Sequence, residues 1–364
     1  MKEEEKMTTQ DWYEQQGAPE NNYVLSKKEI EGCRHKSEKR WYRGLCVLNV
    51  LILIVCIAVI TVYTSKFVNK IGQEMKEITV EVEQEMEAQE QKEKNATDKK
   101  EENITKTDAK KTEKQNETEK KTNAIETDET TENEIMDEDE ETLYMYAIMA
   151  IAMIFILPLA LNVYYQKYRT MSIRITEKNF PEIYERVQLY AKRLDMKKVP
   201  EVYIIQQNGI LNAFSSFIVR KQYIEIYADI FEVAYREHED LDAISFILAH
   251  EMAHIKYKHA TFGYTVKILY ARLVPILAST ASRAREYSCD RLAQKVTGVD
   301  GVDAMFSLIA GKHLYKMVDK EDYLEYAKGV KGFFVWWYNL LADHPVMTKR
   351  IPALEMKEGS GKLY

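Results

Sequence analysis

The sequence lacks most of what would make it a simple soluble or secreted domain. It has four cysteines in 364 residues, Cys33, Cys46, Cys56 and Cys289. Two of them lie in an apolar run, and no spacing among them makes a disulfide framework or a zinc ribbon. A disulfide-stapled secreted scaffold is thereby excluded. Positive charge is not in excess: 51 Lys+Arg face 58 Asp+Glu, a formal net charge of −7. That is no nucleic-acid footprint. No internal repeat is present. A short basic leader with a small-residue cleavage site is missing too. The first apolar run follows 43 residues, so it reads as an uncleaved anchor and not as a signal peptide. Two stretches lack charge altogether, which excludes a soluble cytosolic enzyme.

The first charge-free stretch is the 22 residues between Arg43 and Lys66, and the second the 25 between Glu141 and Lys167. Each exceeds the roughly 20 apolar residues that cross a bilayer. Pro158 does not disqualify the second, because transmembrane helices tolerate proline. Lys and Arg near the ends set orientation. Residues 27–43 hold seven and residues 64–80 three, whereas residues 128–142 hold none and residues 166–183 hold four. Both helices therefore predict cytoplasmic N- and C-termini. The expected layout is a cytoplasmic tail (1–43), a first span (44–65), an extracytoplasmic acidic segment (66–142), a second span (143–166) and a cytoplasmic domain (167–364).

The acidic segment holds 25 Asp+Glu against 13 Lys. It is too poor in apolar residues to offset chain entropy, so 93–141 is expected to be disordered. Within 67–86, Phe67, Ile71, Met75, Ile78, Val82 and Met86 recur at helical spacing. That pattern can prolong the first helix outward, or pair with a second copy as a homodimer.

Residues 167–364 suffice for one globular domain. Short strands are predicted at 201–205, 216–220 and 222–227, and helices at 180–194, 241–258, 264–295, 302–316 and 321–341. Strands grouped early among helices indicate an α+β domain. Phe333–Tyr338 is expected to pack the core. His238, His259 and His313 are expected at the surface, and Cys289 should point away from the metal face.

The informative stretch is Asp240–Ala260. Ile244, Leu248, Met252 and Ile255 make one apolar stripe. His250 and His254, four apart, share the roughly opposite face. Two imidazoles so placed can grip one metal ion, with Glu251 between them positioned as general base toward a zinc-activated water. Downstream, Glu286 and Asp290 are also four apart on a second helix. Glu286 can complete a His₂Glu set. Asp290 can then hydrogen-bond a ligating imidazole from behind. Taken alone, Glu286 and Asp290 also suit exposed acids paired with Arg283, Arg285 or Arg291.

His-Glu-Met-Ala-His at 250–254, with Ser-Arg-Ala-Arg-Glu-Tyr-Ser-Cys-Asp at 282–290, resembles the M48 peptidases, the HtpX-like and CAAX-prenyl-protease-like membrane zinc metallopeptidases. Asn212-Ala-Phe214 resembles that family's element before the edge strand of the cleft. Ala342-Asp-His-Pro345, with Lys349-Arg-Ile351 after it, resembles its His-Pro element. The resemblance covers about 167–356 and is closest to bacterial HtpX-like members. It implies a mostly helical zincin-type, gluzincin-like domain with a small sheet. It implies one Zn²⁺ per chain on His250, His254 and Glu286. Glu251 would be the general base and Asp290 the partner behind a ligating histidine, His250. Asn212 would hold the substrate backbone or the tetrahedral intermediate, and His344 the oxyanion. An edge strand near 216–220 would take an extended peptide by β-augmentation.

Two features depart from that family. Only 31 residues separate His254 from Glu286, too few for two spans, so 264–281 reads as a packed amphipathic helix that can also touch the bilayer. The acidic segment has no counterpart in the family. The expected protein is a multi-pass plasma-membrane zinc endopeptidase, bacterial by preference, with an endoplasmic reticulum membrane as the alternative. Its substrates would be peptides or membrane proteins, in quality control or specific processing. An intramembrane site-2-type protease is disfavoured, because charged residues from Glu237 to Lys258 crowd the motif. A non-enzymatic sensor or scaffold with a zinc-bound domain is the alternative from another class.

Overall fold

The computed structural model describes residues 23–104, 138–206, 213–218, 221–233, 235, 240–259, 261–356 and 361–364. Asn212 and His238 lie outside them. The chain forms two compact units, Val55–Ile151 and the remainder.

The Val55–Ile151 unit is helical. Helix α1 (Lys27–Gly32) and then α2 (Glu38–Ile104) and α3 (Glu138–Met171) open the chain, and this unit holds the outer parts of α2 and α3. The Tyr63 and Tyr144 rings meet at 5.7 Å inside it. Helix α2 runs to Ile104, into the tract whose composition argued for no structure. Glu, Lys, Gln and Ala are good helix formers, and extending an existing helix adds one hydrogen bond for each residue it orders. Two stretches, Glu38–Lys92 and Glu141–Met171, are long and apolar enough to cross a membrane. Of their most apolar windows only 11% and 6% is buried, which is not the burial of a core helix in a soluble domain.

The other unit holds a four-stranded sheet in the order β1-β2-β4-β3. Strand β1 (Ile173–Arg174) runs antiparallel to β2 (Glu201–Ile205), β2 parallel to β4 (Lys221–Tyr227), and β3 (Ala213–Ile218) antiparallel to β4. Strand β3 is thus an edge. Alternation along β2 and β4 sends Val202, Ile204, Ile224 and Ile226 into the main core. The opposite face carries Tyr203 and Tyr223, which pack with Tyr165 at the end of α3. Glu225 shares that face, fully buried, with neither carboxylate oxygen hydrogen-bonded.

Against the core face lie α4 (Pro181–Arg193), α6 (Leu241–Lys256) and α8 (Pro275–Thr297), followed by α9 (Val302–Ala310), α10 (Lys320–Gly329), α11 (Phe333–Leu341) and α12 (Met347–Glu355). Short α5 (Ala228–Glu232) and α7 (Phe262–Lys267) are connectors. The expected stripe of α6 is buried to the last residue: Ile244, Leu248 and Met252 are fully inaccessible and Ile255 nearly so. Each such side chain contributes roughly 1.5–3 kcal/mol. Helix α9 approaches α6 closely enough that a Cβ on Gly301, at φ +81°, would sit 2.3 Å from the Phe246 ring.

Three expected helices are broken. The 264–295 helix is split into α7, a 3₁₀ turn at Ala271–Leu273 and α8, because Val274 precedes Pro275 and is extended. Gly311, at φ +82°, ends α9 at Ala310. Gly329 and Gly332 divide 321–341 into α10 and α11. The Phe333–Tyr338 aromatics do not enter the core: Phe334 is 82% exposed and Tyr338 68%.

Candidate metal centre

Helix α6 starts at Asp240, whose Oδ1 accepts from the backbone N–H groups of Asp242 and Ala243 at 3.1 and 3.0 Å. Four residues make slightly more than one turn, so His250 and His254 stack on one face. Their rings are 4.9 Å apart and nearly perpendicular. Helix α8 packs lengthwise on α6 and brings Glu286 opposite the pair. His250 Nε2 and His254 Nε2 are 3.2 Å apart. His250 Nε2 lies 3.3 Å from Glu286 Oε2, and His254 Nε2 lies 3.3 Å from the other oxygen, Oε1. Metal–ligand bonds of about 2.0–2.1 Å place tetrahedral donors about 3.3–3.4 Å apart. Both imidazole–carboxylate contacts and the imidazole pair are close to that spacing, and one donor atom from each of the three side chains lies within 4.8 Å of the others, which fits a small divalent ion. Glu251, between the histidines and buried, is not among them.

Behind this face the groups are fully partnered. Asp290, 1% exposed, sets Oδ1 2.8 Å from His250 Nδ1. Arg350, on α12, donates to both oxygens of Asp290, at 2.8 and 2.7 Å, and its Nη2 is 3.5 Å from Glu286. Buried Glu286 and Asp290 are therefore partnered by histidines and Arg350, not by Arg283, Arg285 or Arg291. Burial opposes ionisation of Glu286, but His254 and His250 outweigh it and hold its carboxyl well below the usual range. For His250, burial opposes charge, yet Asp290 and then Glu286 push the imidazole up to about 10. The two shifts are reciprocal: the imidazoles favour the ionised Glu286 carboxyl, and the Asp290 and Glu286 carboxylates favour the charged form of His250. Three carboxylates, Glu251, Glu286 and Asp290, stand against the single guanidinium of Arg350. With neutral imidazoles that leaves two formal negative charges, which a divalent cation balances.

His254 is braced from its other side. Its Nδ1 is 3.1 Å from His259 Nδ1, and His259 Nε2 is 3.0 Å from Glu38 Oε1. Burial pushes His259 down to about 3, so it stays neutral. Glu38 accepts the Nε2–H, which leaves His259 Nδ1 to accept from His254 Nδ1–H and frees His254 Nε2 toward the metal face. Glu38 also bonds Arg34 and Ser288. His259 is thus not a surface residue. Its ring is held inside by this chain. Cys289 Sγ lies 3.7 Å from His259 Nδ1 and away from His250 and Glu286. His254, His259 and Cys289 would themselves cluster tightly enough for a metal. However, both nitrogens of His259 are engaged in hydrogen bonds, and burial holds the Cys289 thiol well above its usual range, in its poorly ligating form.

His344 Nε2 lies 3.7 Å from Glu286 Oε2, and the side chain is 66% exposed. His313 is exposed. Strand β3, an edge of the sheet, lies against α6, the helix that carries both histidines.

Residues 177–270 match the model of Peptidase family M48. The chain carries a Peptidase family M48 domain. That family is one of metallopeptidases, and the match, which includes His250, Glu251 and His254, supports a metallopeptidase here. The match spans α4, strands β2, β3 and β4, and α6, and ends before Glu286, so the third donor and its Asp290–Arg350 support come from beyond it. No curated protein and no solved structure matches the chain.

Arg350, His259, Glu38 and Ser288 were not singled out as site residues from the sequence. Arg350 falls in the Lys349-Arg-Ile351 stretch after the His-Pro element, which was a usable signal. Glu38 offered none, since it lies 221 residues before His259.

Proposed function

We propose that this protein is a membrane-anchored zinc endopeptidase. The observation that carries the reading is the convergence of His250, His254 and Glu286 with donor atoms within 4.8 Å of one another, and with Glu251 beside them and outside the donor set. Zinc bound there would supply the electrophile that polarises a peptide carbonyl and acidifies water. The protein's own groups then divide the work. Glu251 takes a proton from the attacking water and returns it to the leaving amine. Asp290 and the His259–Glu38 pair hold the two imidazoles in their tautomers. His344, exposed beside Glu286, is placed to donate to a developing oxyanion. The β3 edge gives an extended substrate a strand to pair with, running alongside α6. Helices α2 and α3 anchor the chain, and the Lys/Arg asymmetry puts the peptidase domain in the cytoplasm. Substrates at the membrane face follow from that placement, membrane proteins in quality control among them.

The test is Glu251→Gln in the full chain. Purified in detergent, the variant should retain one zinc per chain and lose about 10²–10⁴-fold of its cleavage of an unfolded protein such as casein. Undiminished cleavage removes Glu251 as the base, and absence of stoichiometric zinc from both forms removes the metal site.

A further inference from the structure

Helix α11 is amphipathic the wrong way round for water. Its polar Asn339 is fully buried, whereas Phe333, Phe334, Trp337, Tyr338 and Leu341 are exposed. Five of its first six residues are aromatic. A helix with its polar residue inward and its aromatics outward has an apolar medium or surface as its natural partner.

The packing of α11 says which medium. Its inner side is fixed to α8: Ser279 Oγ and Arg283 Nη1 donate to the Leu340 carbonyl at 2.7 and 2.9 Å. Asn339 Nδ2 donates to the Leu363 carbonyl at 2.9 Å. Leu363 itself clusters with Ala284 and Tyr287, and Trp41 of α2 packs against them. Trp41 stands three residues before the apolar run begins at Gly44. The segment just before α8 is tied to the run itself. Asn49, buried within that run, donates to the Val266 carbonyl at 3.3 Å and accepts the Tyr270 N–H at 2.8 Å. Leu45 packs with Ile268, Ala271 and Ala281. Asn49 lies five residues past Gly44, or about 7–8 Å along the helix axis. Residues 266–276 therefore sit at the depth of the headgroup–acyl boundary if α2 crosses the bilayer. The side chains exposed there are apolar, with Leu273 76% accessible and Val274 and Ile276 also exposed. The charges beside them, Lys267 and Arg272, are long basic side chains that can reach headgroups. Between Ala327 and Ala342 the only charges are Lys328 and Lys331, which suits an anionic leaflet.

We propose that the aromatic face of α11, together with Leu273, Val274 and Ile276, is a bilayer-docking surface that seats the peptidase domain in the headgroup–acyl boundary beside the first span. This rests on the membrane-anchored reading above. Glu286 follows Pro275 by eleven residues on the same helix, so docking holds the metal centre about 16 Å along α8 from the boundary.

The experiment uses the full chain with Trp12→Phe and Trp41→Phe, which leaves Trp336 and Trp337 as the reporters. It is reconstituted in nanodiscs containing anionic lipid, with brominated acyl chains as quenchers. The expected result is a loss of fluorescence, greater for bromines near the glycerol than for bromines deeper than about 10 Å. Acrylamide from the aqueous side should quench little. In a second form carrying Phe334→Glu, also with Trp12→Phe and Trp41→Phe, the lipid quenching should fall and acrylamide quenching rise, with zinc content retained. Quenching by acrylamide alone in the Trp12→Phe, Trp41→Phe protein overturns the proposal, because the face is then in water. Absence of quenching by either agent overturns it in favour of a protein cover such as a second copy. Alkaline carbonate extraction separates the underlying reading. Release of the chain from native membranes refutes the anchor, whereas retention together with aqueous-exposed tryptophans refutes only the docking.

Discussion

Asp290→Asn isolates the part of the metal centre that lies behind the ligands. The carboxylate makes three contacts: Oδ1 to His250 Nδ1 at 2.8 Å and to Arg350 Nη2 at 2.7 Å, and Oδ2 to Arg350 Nε at 2.8 Å. An asparagine of the same shape can keep Oδ1 as acceptor for two of them, but its amide nitrogen cannot accept from Arg350 Nε. The bond to His250 changes from charge-assisted, worth about 1.5–3 kcal/mol, to neutral, worth about 0.5–1.5 kcal/mol. The difference of about 1–1.5 kcal/mol corresponds to about a tenfold weaker hold on zinc. Asp290→Ala, which removes the whole contact, should weaken zinc by about 10–100-fold. The assay is zinc competition against a chromophoric chelator, using the purified full chain at neutral pH. Glu251→Gln, which changes no donor, should still bind zinc and lose less affinity than Asp290→Ala. Circular dichroism should show that each variant keeps its helices. An Asp290→Ala protein that is folded and binds zinc like the parent would refute the claim that this carboxylate sets the ligand.

Glu225 predicts a pH dependence of stability. Burial pushes its carboxyl from the ordinary 4.5 up to about 8, opposed only in part by Lys167. The folded state thus keeps a proton that the unfolded chain releases near pH 4.5, so stability should decline from about pH 4.5 to about pH 8 and then level off. Glu225→Gln should remove that decline in thermal unfolding scans, and a parallel decline in the variant would refute the assignment. Topology is checked on spheroplasts: added protease should cut within 93–141 and leave 167–364 intact. Digestion of the peptidase domain would reverse the orientation.

Much of the site was legible because its signals are local. Helical spacing alone puts His250 beside His254 and Glu286 beside Asp290. Two charge-free runs longer than a bilayer is thick need no partner to be recognised. Elements were less legible where a single residue decided them. Pro275 and the glycines at 311, 329 and 332 cut three continuous apolar patterns into pieces, because backbone preference at one position outweighs periodicity over fifteen. Phe333–Tyr338 was read as core from composition, since aromatics usually are buried. Its true direction is set by the Leu340 carbonyl meeting Arg283 of α8 and by buried Asn339 bonding the Leu363 carbonyl, which no periodicity encodes.

By itself the sequence determined which residues could share a helical face, which runs could span a bilayer, and that two His and one Glu on one turn offer metal chemistry. These follow from fixed rise and rotation along a helix, and they hold wherever the helix is placed. Only the tertiary structure decided that Glu286 meets both imidazoles, that Arg350 and not a neighbouring arginine balances Asp290, and that Glu38 at the start of α2 braces His254 through His259. The Asp290–Arg350 and His259–Glu38 contacts join residues 60 and 221 positions apart. They depend on which helix faces are driven together by burial, a choice made by the whole core and written in no single stretch of it.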